Sequence, residues 1–226
     1  MHLITVSEAF ADSLSRDTVG GSPFMPEGVS RPRCRICDAQ MALFYQLDIR
    51  AEFDVPFQQG SHLLVFMCPT HNEIPGIPAI YNDSPLPEAF WDTDDGHYAL
   101  RFYRAENLRN DGKLDEYISS HDLRFERAEE EVQDFDDFKV GSYKFKIGGV
   151  PGWMNYSVDK NCPCGGKMSF VCQTPDGFGF RQTPTAPEQP DSFSSVKYCL
   201  FLGNHVNILA CDRQCDSRAL IATCDN

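Results

Sequence analysis

Two apolar runs stand out in the hydropathy pattern of the chain. Leu63 to Phe66 is a continuous apolar stretch, and Val206 to Ala210 is apolar except for Asn207; both have a length typical of buried β-strands. Each run leads into a cysteine, Cys68 in the first half of the chain and Cys211 in the second. The pattern therefore predicts strands that end at candidate metal ligands.

The two runs belong to a longer pattern that occurs twice. Glycine, proline, cysteine, methionine, glutamine and histidine residues follow one another in the same order in both halves. They are Gly20, Gly21, Pro23, Cys34, Cys37, Met41, Gln46, Gly60, His62 and Cys68, and then Gly148, Gly149, Pro151, Cys162, Cys164, Met168, Gln173, Gly203, His205 and Cys211. Such a series indicates an internal duplication, so we expect two related half-domains.

In the first half, four residues have the spacing of a tetrahedral zinc site. Cys34 and Cys37 form a C-x-x-C pair, and Cys68 and His71 follow the first apolar run. Zinc accepts three thiolates and one imidazole in a closed structural shell. The alternative is that these cysteines are reduced, buried and act as small apolar residues.

In the second half, the corresponding positions offer four cysteines. Cys162 and Cys164 form the first pair, and Cys211 and Cys215 form the second. The C-x-C spacing is tighter than usual, so His205 is an alternative fourth ligand. A catalytic zinc keeps one position open, whereas these sets are closed. We therefore predict two structural zinc ions and no catalytic residue.

Three cysteines lie outside the two sets. Cys172 and Cys199 lie in strand-like apolar runs and are expected to be core residues, whereas Cys224 lies near the C-terminus, where exposure is expected. We expect no secretory leader, because the first residues lack a basic stretch followed by an apolar one, and we find no apolar run of membrane-spanning length in the sequence. We therefore expect a reducing cytoplasm, in which cysteines serve as metal ligands more readily than as disulfides.

The segment 83–138 between the halves is acidic. It holds seventeen acidic and six basic side chains and so accounts for most of the formal net charge of −13. The stretches Glu106 to Leu108, Leu114 to Ile118 and Phe125 to Val132 have the composition of helices, the last with a charged face. The charge argues against nucleic acid as a partner, because binding to phosphates requires a basic surface.

Aromatic residues are interleaved with the acids in this segment. The combination is typical of a surface that attracts a basic protein by charge and anchors it by aromatic contact. The predicted partner-binding residues are Trp91, Asp92, Asp94, Asp95, Tyr98, Phe102 and Tyr103. The alternative is a solvated segment whose aromatics pack on the two halves.

Each half carries Gly-Gly-x-Pro, a cysteine pair, a Met-x-x-x-x-Gln pattern and a strand that ends in cysteine. This arrangement resembles the YwqG-like bacterial family of unknown function and its relative, the programmed-cell-death-protein-2 C-terminal family. The resemblance implies a β-rich α+β fold of two related halves. It implies no activity, but some YwqG-like proteins resemble immunity proteins encoded beside toxins, and the eukaryotic relatives resemble escorts of a basic ribosomal protein, which favours the expectation of a protein-binding role.

The predicted fold is therefore α+β and β-rich. Half-domains at residues 1–82 and 141–226 are expected, with a partly helical acidic connection at residues 83–140. The expected function is a non-enzymatic, zinc-containing immunity protein that neutralises a basic, nuclease-type toxin, with no nucleic-acid or membrane partner. An escort for a basic ribosomal or nucleic-acid-binding protein is the first alternative, and a metal-dependent enzyme is the second.

Overall fold

The fold is built almost entirely from β-strands. The computed structural model describes residues 1–75, 85–88, 90–92, 96–104, 107–110, 112–135, 138–155 and 157–225. Helix in these ranges is limited to three 3-10 turns, Ala51–Phe53, Phe90–Asp92 and Phe201–Gly203. None of the helices in the described part of the chain has the length and apolar character needed to cross a membrane.

The strands are short and follow one another along the whole chain. They are β1 (His2–Phe10), β2 (Thr18–Val19), β3 (Phe24–Pro26), β4 (Ala42–Asp48), β5 (His62–Met67), β6 (Tyr98–Tyr103), β7 (Leu108–Asn110), β8 (His121–Arg127), β9 (Gln133–Asp134), β10 (Lys139–Val140), β11 (Lys146–Ile147), β12 (Met168–Thr174), β13 (Phe180–Arg181), β14 (Lys197–Tyr198), β15 (His205–Cys211) and β16 (Leu220–Asp225). Both apolar runs identified in the sequence lie in strands, β5 and β15, as predicted.

Ten of the strands form one antiparallel sheet with the order β16-β15-β12-β11-β1-β8-β2-β4-β5-β6. Three two-stranded ribbons, β3–β7, β9–β10 and β13–β14, accompany it. The two central strands are β1 and β8. Strand β1, from the start of the chain, pairs with β11 of the second half, whereas β8, from the middle of the chain, pairs with β2 of the first half.

We call β8-β2-β4-β5-β6 the first side of the sheet and β1-β11-β12-β15-β16 its second side. The two sides have the same strand registers. The bulge between Leu43 and Tyr45 in β4 has its counterpart between Phe170 and Cys172 in β12. Corresponding cross-strand pairs are Thr18–Gln46 and Lys146–Gln173, Gln46–Leu64 and Gln173–Asn207, and His62–Tyr103 and His205–Asp225. The two sides are thus built alike, strand by strand.

One buried cluster fills the inside of the sheet. Every strand of the ten contributes an apolar side chain to it. The sheet curls around this cluster, so that Tyr45 Oη on one side lies 3.6 Å from Cys172 Sγ on the other. The sheet's terminal strands also approach each other, since the Phe102 N–H donates to the Ser217 carbonyl at 2.8 Å.

Each side of the sheet also buries apolar residues on its outer surface. On the first side this outer cluster includes Cys34 and Cys68, and on the second it includes Cys162 and Cys211. Two cysteines of each predicted metal set are therefore part of a packed core. The other ligands lie closer to solvent.

Two of the three predicted helical stretches are wrong, and the third, Glu106 to Leu108, begins outside the described residues and ends in β7. Residues 121–127, which overlap the predicted charged helix, form strand β8 at the centre of the sheet, and Leu114 to Ile118 contains no helix. Buried and more exposed residues alternate at the start of β8, where His121 and Leu123 are buried. This period of two is a strand signal that the acidic composition obscured.

Candidate metal centres

The first candidate centre joins the ends of two distant segments. Cys34, Cys37, Cys68 and His71 place their ligand atoms within 4.8 Å of one another. His71 Nδ1 lies 3.6 Å from Cys34 Sγ and 3.5 Å from Cys68 Sγ. Strand β5 delivers Cys68 to this point, and the tight turn before β4 delivers the first pair.

The second candidate centre has the same construction at the other side of the sheet. Cys162, Cys164, Cys211 and Cys215 also lie within 4.8 Å of one another by their sulfur atoms. The Cys162–Cys215 and Cys164–Cys211 sulfur distances are 3.5 Å and 3.4 Å. The structure thus brings all eight predicted ligands into two sets of four.

A left-handed residue closes the turn that holds each first pair. Asp38 follows Cys37 with φ 59°, and Gly165 follows Cys164 with φ 83°. Such a backbone lets the chain turn back on itself, so that the Cys34 N–H reaches the Ala39 carbonyl at 2.9 Å. The Cys162 N–H makes the equivalent bond to the Gly166 carbonyl at 2.7 Å.

Close packing fixes the second centre further. A Cβ added at Gly166 would lie 2.5 Å from Asp212 Oδ1 and 2.8 Å from Cys211 Sγ, so only glycine fits there. Arg213 binds the Cys164 carbonyl with its guanidinium at 2.8 Å. The turn and the later cysteine pair therefore constrain each other without a metal.

Backbone amides point at cysteine sulfurs in both centres. The Thr70 N–H lies 3.4 Å from Cys68 Sγ, and the Gly166 N–H lies 3.4 Å from Cys164 Sγ. Hydrogen bonds of this kind favour the thiolate, which is the form of cysteine that binds metals. These amide hydrogen bonds therefore favour metal binding at both turns.

The thiols of each centre differ in their tendency to ionise. Burial raises the pKa of Cys68 to about 12 and that of Cys215 to about 11. Burial also opposes ionisation of Cys164, but the Gly166 amide and the neighbouring thiols lower its pKa to about 7. The amide of Ala39 lowers the pKa of Cys37. A cation that binds here would displace protons from the more buried thiols.

The sulfur separations distinguish a metal site from a disulfide. A disulfide bond is about 2.05 Å long. Sulfurs at the corners of a zinc tetrahedron with bonds of about 2.3 Å are about 3.8 Å apart. The sulfur–sulfur distances of 3.4 to 3.6 Å in the two centres are close to the second value. The two clusters can therefore each hold a metal ion.

His205 is not the fourth ligand of the second centre. It begins β15, and Cys211 ends the same strand six residues later. A strand rises about 3.3 Å per residue, so the two side chains are far apart. His205 is buried beneath Tyr143, with ring centroids 5.7 Å apart, and Cys215 supplies the fourth sulfur.

The three remaining cysteines are all buried. Cys172 and Cys199 are core residues, as predicted. The expected exposure of Cys224 is wrong, because β16 pairs along its length with β15 and turns this side chain into the inner cluster. Cys224 is therefore buried although it lies near residue 226.

The predicted partner-binding aromatics belong to the interior. Tyr98 and Phe102 point into the inner cluster, and Tyr103 belongs to the outer cluster beside the first centre. Trp91 is partly buried against the outer cluster of the second side. Because strand β6 is covered on both faces, Tyr98, Phe102 and Tyr103 are not available as surface anchors, and that part of the prediction is wrong. The role predicted for Trp91 stays a prediction.

The structure does not describe the side chains of the predicted acidic partner-binding residues. Asp94 and Asp95 lie outside the described residues. Asp92 ends the 3-10 turn Phe90–Asp92, for which only the backbone is described. Their proposed contact with a basic protein stays a prediction.

A buried ion pair was missed by the sequence reasoning. Lys146 is fully buried, and its ammonium group donates to the carboxylate of Glu130 and to the Val150 carbonyl. Glu130 also accepts the N–H groups of Ser142 and Val150 at 3.0 and 2.9 Å. Burial lowers the pKa of Lys146, and Glu130 opposes this. Glu130 stands in a run of three glutamates, so composition alone suggested a solvated face.

No protein-family model matches the chain, and no curated protein matches it. The resemblance to the YwqG-like family therefore stays a prediction that rests on the repeated motifs.

Proposed function

We propose that this chain is a non-enzymatic protein-binding module stabilised by two structural zinc ions. The observation that carries the proposal is the pair of four-ligand clusters, each assembled at the outer core of one side of the sheet. Four protein ligands fill a tetrahedral shell and leave no position for a substrate or a reactive water. Structural zinc accounts for both sets, and a purely apolar role for the cysteines does not account for their grouping.

The matched strand registers support an internal duplication as the origin of the two centres. The cysteine turn, the bulged strand and the strand that leads to the second ligand pair occur in the same order on both sides. Exchange of β1 and β8 ties the two copies into one sheet. Duplication explains why two metal centres stabilise one molecule.

We propose a basic protein as the partner, because the exposed surface combines acids with apolar groups in one place. We call this place the hairpin surface; it consists of Glu129, Glu131, Val132, Asp134, Phe135 and Tyr143. Phe135 is 51% exposed, and Tyr143 and Val132 are 44% and 42% exposed. The acids would speed the approach of a basic protein, and the aromatic rings would hold it after contact.

A cavity of about 590 Å³ adjoins this surface. Glu131, Tyr143, Phe145 and Phe178 are among its lining residues, and most of the lining is apolar. A side chain of a docked partner could enter it, as anchor residues do in protein complexes. The hairpin surface therefore replaces the buried aromatics of β6 as the proposed docking region.

The specific form of the proposal is an immunity protein that covers the active site of a basic, nuclease-type toxin. The acidic charge supports it, since a nuclease site is built to bind polyanionic substrate. An escort for a basic ribosomal or nucleic-acid-binding protein would use the same surface chemistry. Toxin activity in the presence of the chain separates the two, because only an immunity protein abolishes it.

Binding kinetics with a partner captured from the native cell test the docking region. Changing Glu129, Glu131 and Asp134 together to Gln, Gln and Asn should slow association and flatten its dependence on salt. Phe135→Ala should mainly speed dissociation. Phe10→Ala is the matched control, because this phenylalanine is 74% exposed and lies on β1. Unchanged rates in both hairpin variants, or a captured partner that is acidic, would contradict the proposal.

A further inference from the structure

A small cavity lies away from both metal centres and shares Phe178 with the cavity beside the hairpin surface. It has a volume of about 180 Å³ and lies between β1, the start of β8 and the β13–β14 ribbon. Val19 and Phe180 give it an apolar wall, while His121, Arg181 and Lys197 give it a polar one. Apolar walls with a few convergent polar groups are typical of ligand sites.

His121 contributes a nitrogen atom that has no partner. Its ring is 4% exposed and stacks on Phe10 with centroids 5.1 Å apart. Nδ1 lies 3.1 Å from the Ala9 carbonyl, which can only accept a hydrogen bond, so Nδ1 carries the proton. The neutral ring then presents Nε2 as an acceptor, and this buried atom has no hydrogen-bond partner. Buried polar atoms are nearly always paired, so the site needs a donor.

Two cations face each other at the same cavity. Arg181 of β13 lies directly opposite Lys197 of β14, and both side chains are exposed. Among the described residues, neither forms an ion pair with a carboxylate. Like charges directly opposite each other on a β-ribbon are destabilising, and an anion between them would remove the repulsion.

Gly179 keeps the lysine close to the cavity wall. A Cβ at this position would lie 2.6 Å from Lys197 Cδ and 3.0 Å from its Cβ. The absence of a side chain at residue 179 therefore allows the aliphatic part of Lys197 to lie across the backbone. The backbone at Gly179 therefore holds the Lys197 side chain beside the cavity.

We propose that this cavity binds a small organic anion that carries a hydroxyl group next to its phosphate or carboxylate. The anionic group lies between Arg181 and Lys197, and the hydroxyl donates to His121 Nε2. Glu8 lines the same cavity and offers a second acceptor for a donor on the ligand. The volume of about 180 Å³ limits the ligand to a few carbon atoms, which contact Val19 and Phe180.

Calorimetric titration with glycerol phosphate and with lactate tests the site and distinguishes its two anion classes. At least one probe should bind, and Arg181→Ala and Lys197→Ala should each weaken that binding about tenfold, as expected for loss of one charge-assisted contact. Arg109→Ala is the matched control, because Arg109 is an exposed cation that pairs with Glu27 at 3.6 Å elsewhere. No binding of either probe at millimolar concentration, or equal affinity in all variants, would overturn the proposal.

The ring nitrogens of His121 provide a second measurement on the intact chain. The bound probe should shift the ¹⁵N resonance of His121 Nε2, because its lone pair gains a donor, while Nδ1 keeps its bond to Ala9. Gly179→Ala should weaken binding by displacing Lys197 and leave the unliganded His121 resonances in place. Binding without any change at His121 would overturn the assignment of the donor.

Discussion

At the scale of single residues, two buried amides hold the glycine-rich turns against the sheet. Gln46 accepts the Phe24 N–H at 3.0 Å and donates to the Ser22 carbonyl at 2.9 Å. Gln173 accepts the Gly152 N–H at 2.9 Å and donates to the Ser142 carbonyl at 2.7 Å. Both side chains are fully buried, so their hydrogen bonds serve the fold.

Replacing Gln46 by Leu should therefore destabilise the fold by about 3 kcal/mol, because several buried donors and acceptors lose their partner. The free energy of unfolding in urea measures this. Gln59→Leu, at an exposed position of a nearby loop, is the control and should change stability little. Equal stability of both variants would show that Gln46 is replaceable by an apolar side chain.

A buried histidine should make stability depend on pH. Burial lowers the pKa of His205 below its ordinary value of 6.5. The unfolded chain therefore binds more protons than the folded one as the pH falls below about 6.5, and the free energy of unfolding should decrease there. In His205→Gln this decrease should be smaller. Protonation of the metal ligands affects both proteins alike, so parallel profiles of unfolding free energy against pH would contradict the prediction.

At the scale of elements, the two Gly-Gly turns make the contacts that join the sides of the sheet. A Cβ at Gly20 would lie 2.5 Å from the Ile118 carbonyl oxygen, and one at Gly148 would collide with the Phe53 carbonyl oxygen. Gly148 also binds the Val171 carbonyl through its N–H at 3.0 Å. Glycine at these two positions therefore allows both a positive φ and close contact with a neighbouring backbone.

Gly148→Ala should thus cost clearly more stability than Gly28→Ala. Both glycines have positive φ, at 68° and 82°, but a Cβ at Gly28 meets no atom within 4 Å. The control should lose about 1 kcal/mol from backbone strain alone, and Gly148→Ala should lose several times that amount. Thermal and urea unfolding measure the difference. Similar losses would mean that the turn can move away from Phe53 at little cost.

At the scale of the whole molecule, the sequence predicted local features best. The four ligands of each centre were found because their spacing and the strands before Cys68 and Cys211 are local patterns. The position of β8 was not found, because it pairs with β1 and β2 more than a hundred residues away. Pairings of that separation leave no periodic signal that names the partner strand.

Composition misled the interpretation of the central segment. Tyr98, Phe102 and Tyr103 occur among acids, a composition that predicts surface anchors, although a strand covered on both faces buries them. The run of glutamates around Glu130 predicts a solvated face, although Glu130 forms an ion pair with the buried Lys146. In both cases tertiary packing, which composition does not encode, decided exposure.

The zinc content of the purified protein tests the central claim most directly. Elemental analysis of chain prepared without added metal should give two zinc ions per chain, and Cys34→Ser and Cys162→Ser should each give one. Removal of both ions by a chelator should lower the unfolding temperature strongly, because metal binding contributes directly to folding. A native protein without zinc, with the seven ligand cysteines open to thiol reagents and no loss of stability in either variant, would contradict the account.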